Sequence, residues 1–179
     1  MPKYRRLYVP GATYFFTVNL LDRRSDLLVT HIDLVRQAVR KVGRELPFNI
    51  EAWVVLPDHM HCLWKLPQGD SDFPARWQAI KMEFTKTLSE RPRPSPVMVR
   101  RREGGIWQRR YWEHLIRDDR DYGAHIDYIH FNPVKHGLTA TPAEWPFSTF
   151  RRAVAAGLYP ADWLPTADEP ANTGERSEQ

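Results

Sequence analysis

Tyr14-Phe15-Phe16-Thr17-Val18 is a β-branched and aromatic run that follows the Pro10-Gly11 turn signal and gives way to polar positions at Asn19 and Asp22, the pattern of a strand. Between His31 and Glu45, Leu34, Val35, Ala38, Val39 and Val42 recur at helical spacing, with Arg36, Arg40, Lys41 and Arg44 elsewhere on the wheel. That periodicity predicts an amphipathic helix, stopped by Pro47. Asn49 to Leu56 reads as a buried strand, Pro57-Asp58 as a tight turn, and His59 to Leu66 as a second strand. So short a connection predicts an antiparallel hairpin. Trp77, Ile80, Phe84 and Leu88 carry a helical pattern through Phe73 to Leu88, and Ile106 to Arg117 supplies one more short strand. Asp118 or Asp119 then caps a helix expected to end near Asn132-Pro133, because a residue before proline resists helical dihedrals. The order strand, helix, two strands, helix, strand, helix predicts an α+β domain, an antiparallel sheet with packed helices.

Two stretches depart from this pattern. Arg91 to Gly105 is rich in Pro and Arg, lacks periodicity, and is read as a mobile basic loop. After Gly137 the prolines recur at 142, 146, 160, 165 and 170, interleaved with Trp145, Phe147, Phe150, Tyr159 and Trp163. Those aromatics predict that residues 139–164 dock on the domain as a C-terminal extension. Residues 165–179 are polar and acidic and are expected to be disordered.

At 179 residues the chain is long enough for one domain with its own core. A single cysteine, Cys62, excludes a disulfide framework and any zinc site built on several thiolates, so the cytosol is the default compartment. No apolar run approaches the ~20 residues of a spanning helix, and a membrane role is set aside. The net charge of +4 conceals a split: Pro160 to Gln179 holds five acids and one base, leaving 25 bases against 17 acids in the remainder. Arg5, Arg6, Arg100, Arg101, Arg102, Arg109, Arg110, Arg151 and Arg152 stand near Tyr and Trp residues. Guanidinium groups grip phosphate bidentately and stack on bases, so this pairing suits single-stranded nucleic acid. The acidic tail is expected to compete with DNA for that basic surface.

Alternation along a strand puts His59 and His61 on one face, about 7 Å apart along the chain, with Met60 and Cys62 on the other. Two imidazoles so placed can converge on one ion. On the last predicted helix His125, Tyr128 and Asn132 share a face. The Asn132 carbonyl suits a hard ion such as Mg²⁺ or Mn²⁺ and leaves positions open for phosphate oxygens. Tyr128 would stand beside that ion as a phenol able to attack. Tyr122, six residues earlier, is the rival nucleophile, and His130 lies on another part of the wheel.

The segment Trp53 to Trp64, with His59-Met60-His61 inside it, and Asp127-Tyr-Ile-His-Phe-Asn-Pro-Val-Lys-His-Gly137 together resemble the HUH single-tyrosine transposases. More narrowly, the chain is similar to the REP-associated tyrosine transposases, which act on repetitive extragenic palindromes in bacterial genomes. The resemblance runs from about Tyr4 to Trp163. It implies a ferredoxin-like or RRM-like core over residues 1–138, with His59, His61 and Asn132 as metal ligands and Tyr128 as nucleophile. It further implies cleavage and rejoining of single-stranded DNA hairpins with a flanking guide, through a 5′-phosphotyrosine link. Wider relatives form dimers that share active sites, but the periodicity here identifies no exposed apolar face for pairing, and a monomer acting at the nucleoid is expected. Some members of the superfamily carry Gln where this chain has Asn132. Two other readings compete. A histidine phosphoesterase is disfavoured because Leu63 occupies the third position of its His-x-His-x-His motif. A palindrome-binding regulator without chemistry would leave no need for the His59, His61, Tyr128 and Asn132 set.

Overall fold

Four strands, β1 (Thr13–Asn19), β2 (Asn49–Val55), β3 (His59–Lys65) and β4 (Trp112–Leu115), form an antiparallel sheet in the spatial order β2-β3-β1-β4. The computed structural model describes residues 6–90, 96–100 and 105–165. Arg5, Arg101 and Arg102, the acidic tail from 166 onward, and most of the 91–105 stretch lie outside the described residues. The helices are α1 (Leu27–Thr30), α2 (Ile32–Glu45), α3 (Phe73–Thr87), α4 (Pro96–Arg100), α5 (Asp119–Lys135) and α6 (Phe150–Ala155). Helices α2 and α3 connect β1 to β2 and β3 to β4, which is the ferredoxin-like arrangement expected from the element order.

Strand alternation separates two cores. Tyr14, Phe16 and Val18 of β1 and Met60, Cys62 and Trp64 of β3 face α2 and α3, where Val35, Val39, Val42, Trp77, Ile80 and Phe84 are buried. Trp64 and Trp77 stack with ring centroids 4.2 Å apart. The opposite face carries Phe15, Ala52, Val54 and Leu63, and α5 covers it with Tyr128 and Ile129. A ferredoxin-like sheet leaves that face open, and this chain uses it to hold one helix against β3. Gly11, with φ of 70°, makes the turn into β1; a Cβ there would lie 3.4 Å from the Gln68 backbone.

Two expectations are corrected. Part of the Arg91 to Gly105 stretch is helical, because Pro96 at the first position of α4 has a preset φ and needs no N–H partner. Helix α5 does not end at Asn132 but continues through Pro133 to Lys135. Proline here removes one bond within the last two turns, and the end is closed instead by Gly137 N–H to Val134 O (2.9 Å) and Leu138 N–H to Pro133 O (2.9 Å). Gly137 takes the left-handed conformation, φ 68°, that this double closure requires.

Beyond α5 a 3₁₀ turn (Pro142–Glu144) leads back along the sheet. Ser148 bridges to Val54, Val55 N–H donates to Phe147 O, Thr149 N–H donates to Trp53 O, and Trp145 Nε1–H donates to Val55 O. The segment thereby covers the outer edge of β2, which would otherwise offer unpaired backbone groups. Among the described residues no helix is long and apolar enough to cross a membrane.

Candidate active site

His59 and His61 share the face of β3 turned toward α5, and both are buried. Their ring centroids are 5.0 Å apart and the rings are nearly perpendicular, at 84°. His59 Nδ1 donates to Asp58 Oδ1 at 2.7 Å, which directs its Nε2 lone pair inward. His61 Nδ1 pairs with the Thr17 hydroxyl of the adjacent strand at 2.9 Å. Burial pushes the His61 imidazole well below its ordinary value, and the basic neighbours His59, His136 and Lys135 disfavour a further charge beside them. It is therefore neutral near pH 7, the form a cation requires of it. Burial would raise the Asp58 carboxyl, but the hydrogen bond from His59 and the Arg23 guanidinium outweigh it and hold the group below its ordinary value. Arg23 Nε lies 2.9 Å from Asp58 Oδ2, and its NH1 donates to Asn19 Oδ1.

Tyr128, Asn132 and His136 fall at i, i+4 and i+8 on α5 and so form one stripe. The Tyr128 ring is 5.2 Å from the His61 ring, and the His136 ring is 5.1 Å from the His59 ring. With both ends of the stripe over the histidine pair, Asn132 lies on the stretch of helix between those two contacts. It is fully buried, and among the described residues neither atom of its side-chain amide has a hydrogen-bond partner, nor has His59 Nε2. Orphaned buried polar atoms demand an explanation, and a cation supplies one for the lone pairs of Asn132 Oδ1 and His59 Nε2. Imidazole nitrogens about 2.1 Å from an ion put ring centres about 3.2 Å from it, so two such rings sit roughly 4.5–5.2 Å apart. The donors present fit a divalent metal. Lys135 Nζ lies 4.8 Å from the centroid of the Tyr128 ring, and Phe15 packs edge-on against that ring at 5.9 Å.

The remaining predicted residues separate. His125 turns away from the pair: its Nδ1 donates to the Asp121 carbonyl at 2.7 Å and its ring stacks on His114 at 4.7 Å. His114, Asp121 and His125 bring ligand atoms within 4.8 Å of one another, close enough to hold a cation. Hydrogen bonds already engage His114 Nε2, Asp121 Oδ2 and His125 Nδ1, whereas His125 Nε2 is buried with no partner among the described residues. Asp121 Oδ2 accepts from Arg117 N–H and Nε–H, both at 3.0 Å, and lies 2.8 Å from His114 Nε2. His130 faces Thr149, Phe150 and Tyr159. Tyr122 donates to Glu51 Oε2 at 2.9 Å. Arg100, Arg109 and Arg110 are exposed. Arg6 pairs with Glu113 at 3.1 Å, Arg151 donates to Ala143 O, and Arg152 donates to the carbonyls of Ile50 and Glu51.

Asp58, Thr17 and His136 were not among the sequence candidates. His136 stands four residues after Asn132 in the same motif, but reading Pro133 as a terminator removed it from the helix. Thr17 meets His61 across 44 residues of chain, and only the strand register reveals that.

No protein-family model matches the chain. A REP-associated tyrosine transposase of Escherichia coli (strain K12) is 53% identical over 163 residues, 91% of each chain. This chain belongs to the REP-associated tyrosine transposases. A solved structure of a REP-associated tyrosine transposase bound to a REP hairpin has 49% sequence identity and a TM-score of 0.81, covering 99% of this chain and 100% of that one. The fold of these transposases thus accounts for the whole described molecule, including the segment along β2.

Proposed function

We propose that the protein is a metal-dependent single-strand DNA transesterase that cleaves and rejoins REP-type hairpins through Tyr128. The observation that carries this reading is the placement of the Tyr128 ring 5.2 Å from His61 within one chain. His59, His61 and Asn132 would hold Mg²⁺ or Mn²⁺, with Asp58 and Thr17 fixing the two rings. When bound, the cation offers positive charge to a non-bridging oxygen of the scissile phosphate. The Tyr128 oxygen attacks phosphorus in line; the Tyr128 O–P bond forms, the P–O3′ bond breaks, and a free 3′-hydroxyl leaves. Lys135 places its ammonium over the Tyr128 ring. Reversal by a 3′-hydroxyl restores the diester, so the covalent link conserves the bond energy without a nucleotide cofactor. Arg6, Arg100, Arg109 and Arg110, with Arg5, Arg101 and Arg102, supply phosphate contacts; these give affinity without sequence choice. Because the histidine pair and the tyrosine come from the same chain, a monomer suffices.

Incubation with a REP hairpin carrying single-stranded flanks and Mg²⁺ or Mn²⁺ is expected to give a protein–DNA adduct on denaturing gels. Tyr128→Phe should abolish the adduct and keep binding, and a chelator should abolish it in the native protein. Undiminished cleavage by Tyr128→Phe would reject the nucleophile, and binding without cleavage would make the protein a palindrome-binding regulator.

A further inference from the structure

The rings at the site form a row with a direction. Between ring centroids, Tyr128 lies 5.2 Å from His61, His61 5.0 Å from His59, and His59 5.1 Å from His136. The phenol therefore stands at one end and the His136 imidazole at the other. A displacement at phosphorus runs in line, with the leaving oxygen opposite the attacking one. With Tyr128 attacking a phosphate seated at the histidine pair, the displaced 3′-oxygen points past His59 toward His136. A cavity of about 250 Å³ opens at that end. Among the described residues His59 and His136 line it, whereas Tyr128 and His61 do not.

The remaining walls suit a nucleobase with its sugar better than a bare anion. Leu56, Pro57 and Leu138 supply apolar surface. Leu138 is 39% exposed, and its backbone N–H, bonded to Pro133 O at 2.9 Å, fixes it just beyond the end of α5. Charges of both signs line the same space. Arg23 is committed to Asp58 at 2.9 Å and to Asn19, and Asp58 in turn to His59. Asp26 stands at the head of α1 without a side-chain capping bond, so its carboxylate is an acceptor at the cavity. That carboxylate repels a free anion, whereas an unpaired base offers it N–H donors and lays an apolar face on Leu138 and Pro57. Arg24, 92% exposed and paired with Asp22 at 3.4 Å, is placed to meet the phosphate on the 5′ side of the same nucleotide.

We infer that this cavity holds the nucleotide whose 3′-oxygen is displaced, and holds it again as the acceptor when the strand is rejoined. The inference rests on the transesterase reading above. Adduct formation by the full-length protein is followed on REP hairpins in which an abasic residue is scanned through the single-stranded flank. Loss of the base immediately 5′ of the cut is expected to slow the reaction about tenfold. Leu138→Trp, which fills the cavity from an exposed position, should react about tenfold more slowly on the intact hairpin and lose nothing further when that base is removed. Abasic residues elsewhere should cost the same in both proteins. Chasing the adduct with an oligonucleotide ending in a 3′-hydroxyl tests the reverse step: half-maximal rejoining should need about tenfold more of it in Leu138→Trp. Arg24→Gln should also raise that requirement and weaken its dependence on salt. Leu138→Ala, which opens the cavity instead, should act in the same direction by a smaller factor and serves if the tryptophan variant melts early. Native rates in both Leu138 variants, or a penalty for the 5′ base that persists in them in full, would overturn the assignment, the second because that base would then be held by DNA and not by the cavity. Hairpin affinity in Tyr128→Phe, where no cleavage occurs, should show the same coupling between Leu138 and one flank base. Absence of any adduct from the native protein would therefore sink the transesterase reading, while the binding coupling still decides whether the cavity takes a base.

Discussion

Asp58 decides which nitrogen of His59 faces the cleft. Its carboxylate accepts from Nδ1 and is itself held by Arg23, so the ring is fixed in both tautomer and orientation. Replacing the carboxylate by an amide keeps the shape, removes the charge and lets the ring adopt the other tautomer. Asp58→Asn is expected to reduce Mn²⁺ affinity by roughly 10–100-fold in calorimetric titration, with little change in melting temperature. Thr17→Val should act in the same direction on His61. At this scale much was legible beforehand: period-two spacing put His59 and His61 on one face, and helical spacing put Tyr128 and Asn132 together. What supports them was less so. Asp58 is adjacent in sequence yet resembles any turn residue before a strand, and Thr17 becomes a partner only through the β1–β3 register.

Helix α5 must hold its stripe in register with β3, and Asp121 is the brace at its first turn. Asp118 caps the helix by accepting from Asp121 N–H at 2.8 Å, while the Asp121 carboxylate gathers Arg117 and His114 from the end of β4. Burial alone would raise this carboxyl; the bonds from Arg117 and His114 overcome it and hold the group below the usual carboxylate range. Asp121→Asn should cost about 2–3 kcal/mol in urea denaturation at pH 7. A depressed carboxyl contributes stability that is fully present above its unfolded value of 3.8 and is lost as pH falls through the lower folded one. The difference between native protein and Asp121→Asn should therefore shrink as acid is added below pH 4 and stay constant from pH 5 to 7. The periodicities of α2, α3 and the β2–β3 hairpin were all readable, since each rests on local spacing. The extent of α5 was not, because local proline sterics favour stopping at Asn132 whereas the Gly137 closure, a longer-range feature, carries the helix on to Lys135.

The whole molecule depends on a segment that lies outside the ferredoxin-like topology. The aromatics after Gly137 signalled docking, but nothing in their spacing named the surface, which proves to be the β2 edge and the outer side of α5. Phe150 is the centre of that contact: fully buried, it meets the rings of His130 at 5.3 Å, Tyr159 at 5.6 Å and Trp163 at 6.0 Å. Tyr159 also donates to Asp127, the residue before Tyr128. One side of α5 thus packs on the sheet and the other on the extension, so neither side can be loosened without consequence for the helix. Phe150→Ala removes a full ring from this layer and leaves a cavity that the neighbouring aromatics are too rigid to fill. A loss of about 3–5 kcal/mol follows, near 10 °C in melting temperature for a chain of this length by scanning calorimetry. Leu158→Ala, at a position 72% exposed in the same segment, should stay within about 0.5 kcal/mol of native. Similar small losses for both variants would mean that the extension merely lies on the domain and does not help to hold α5 in place.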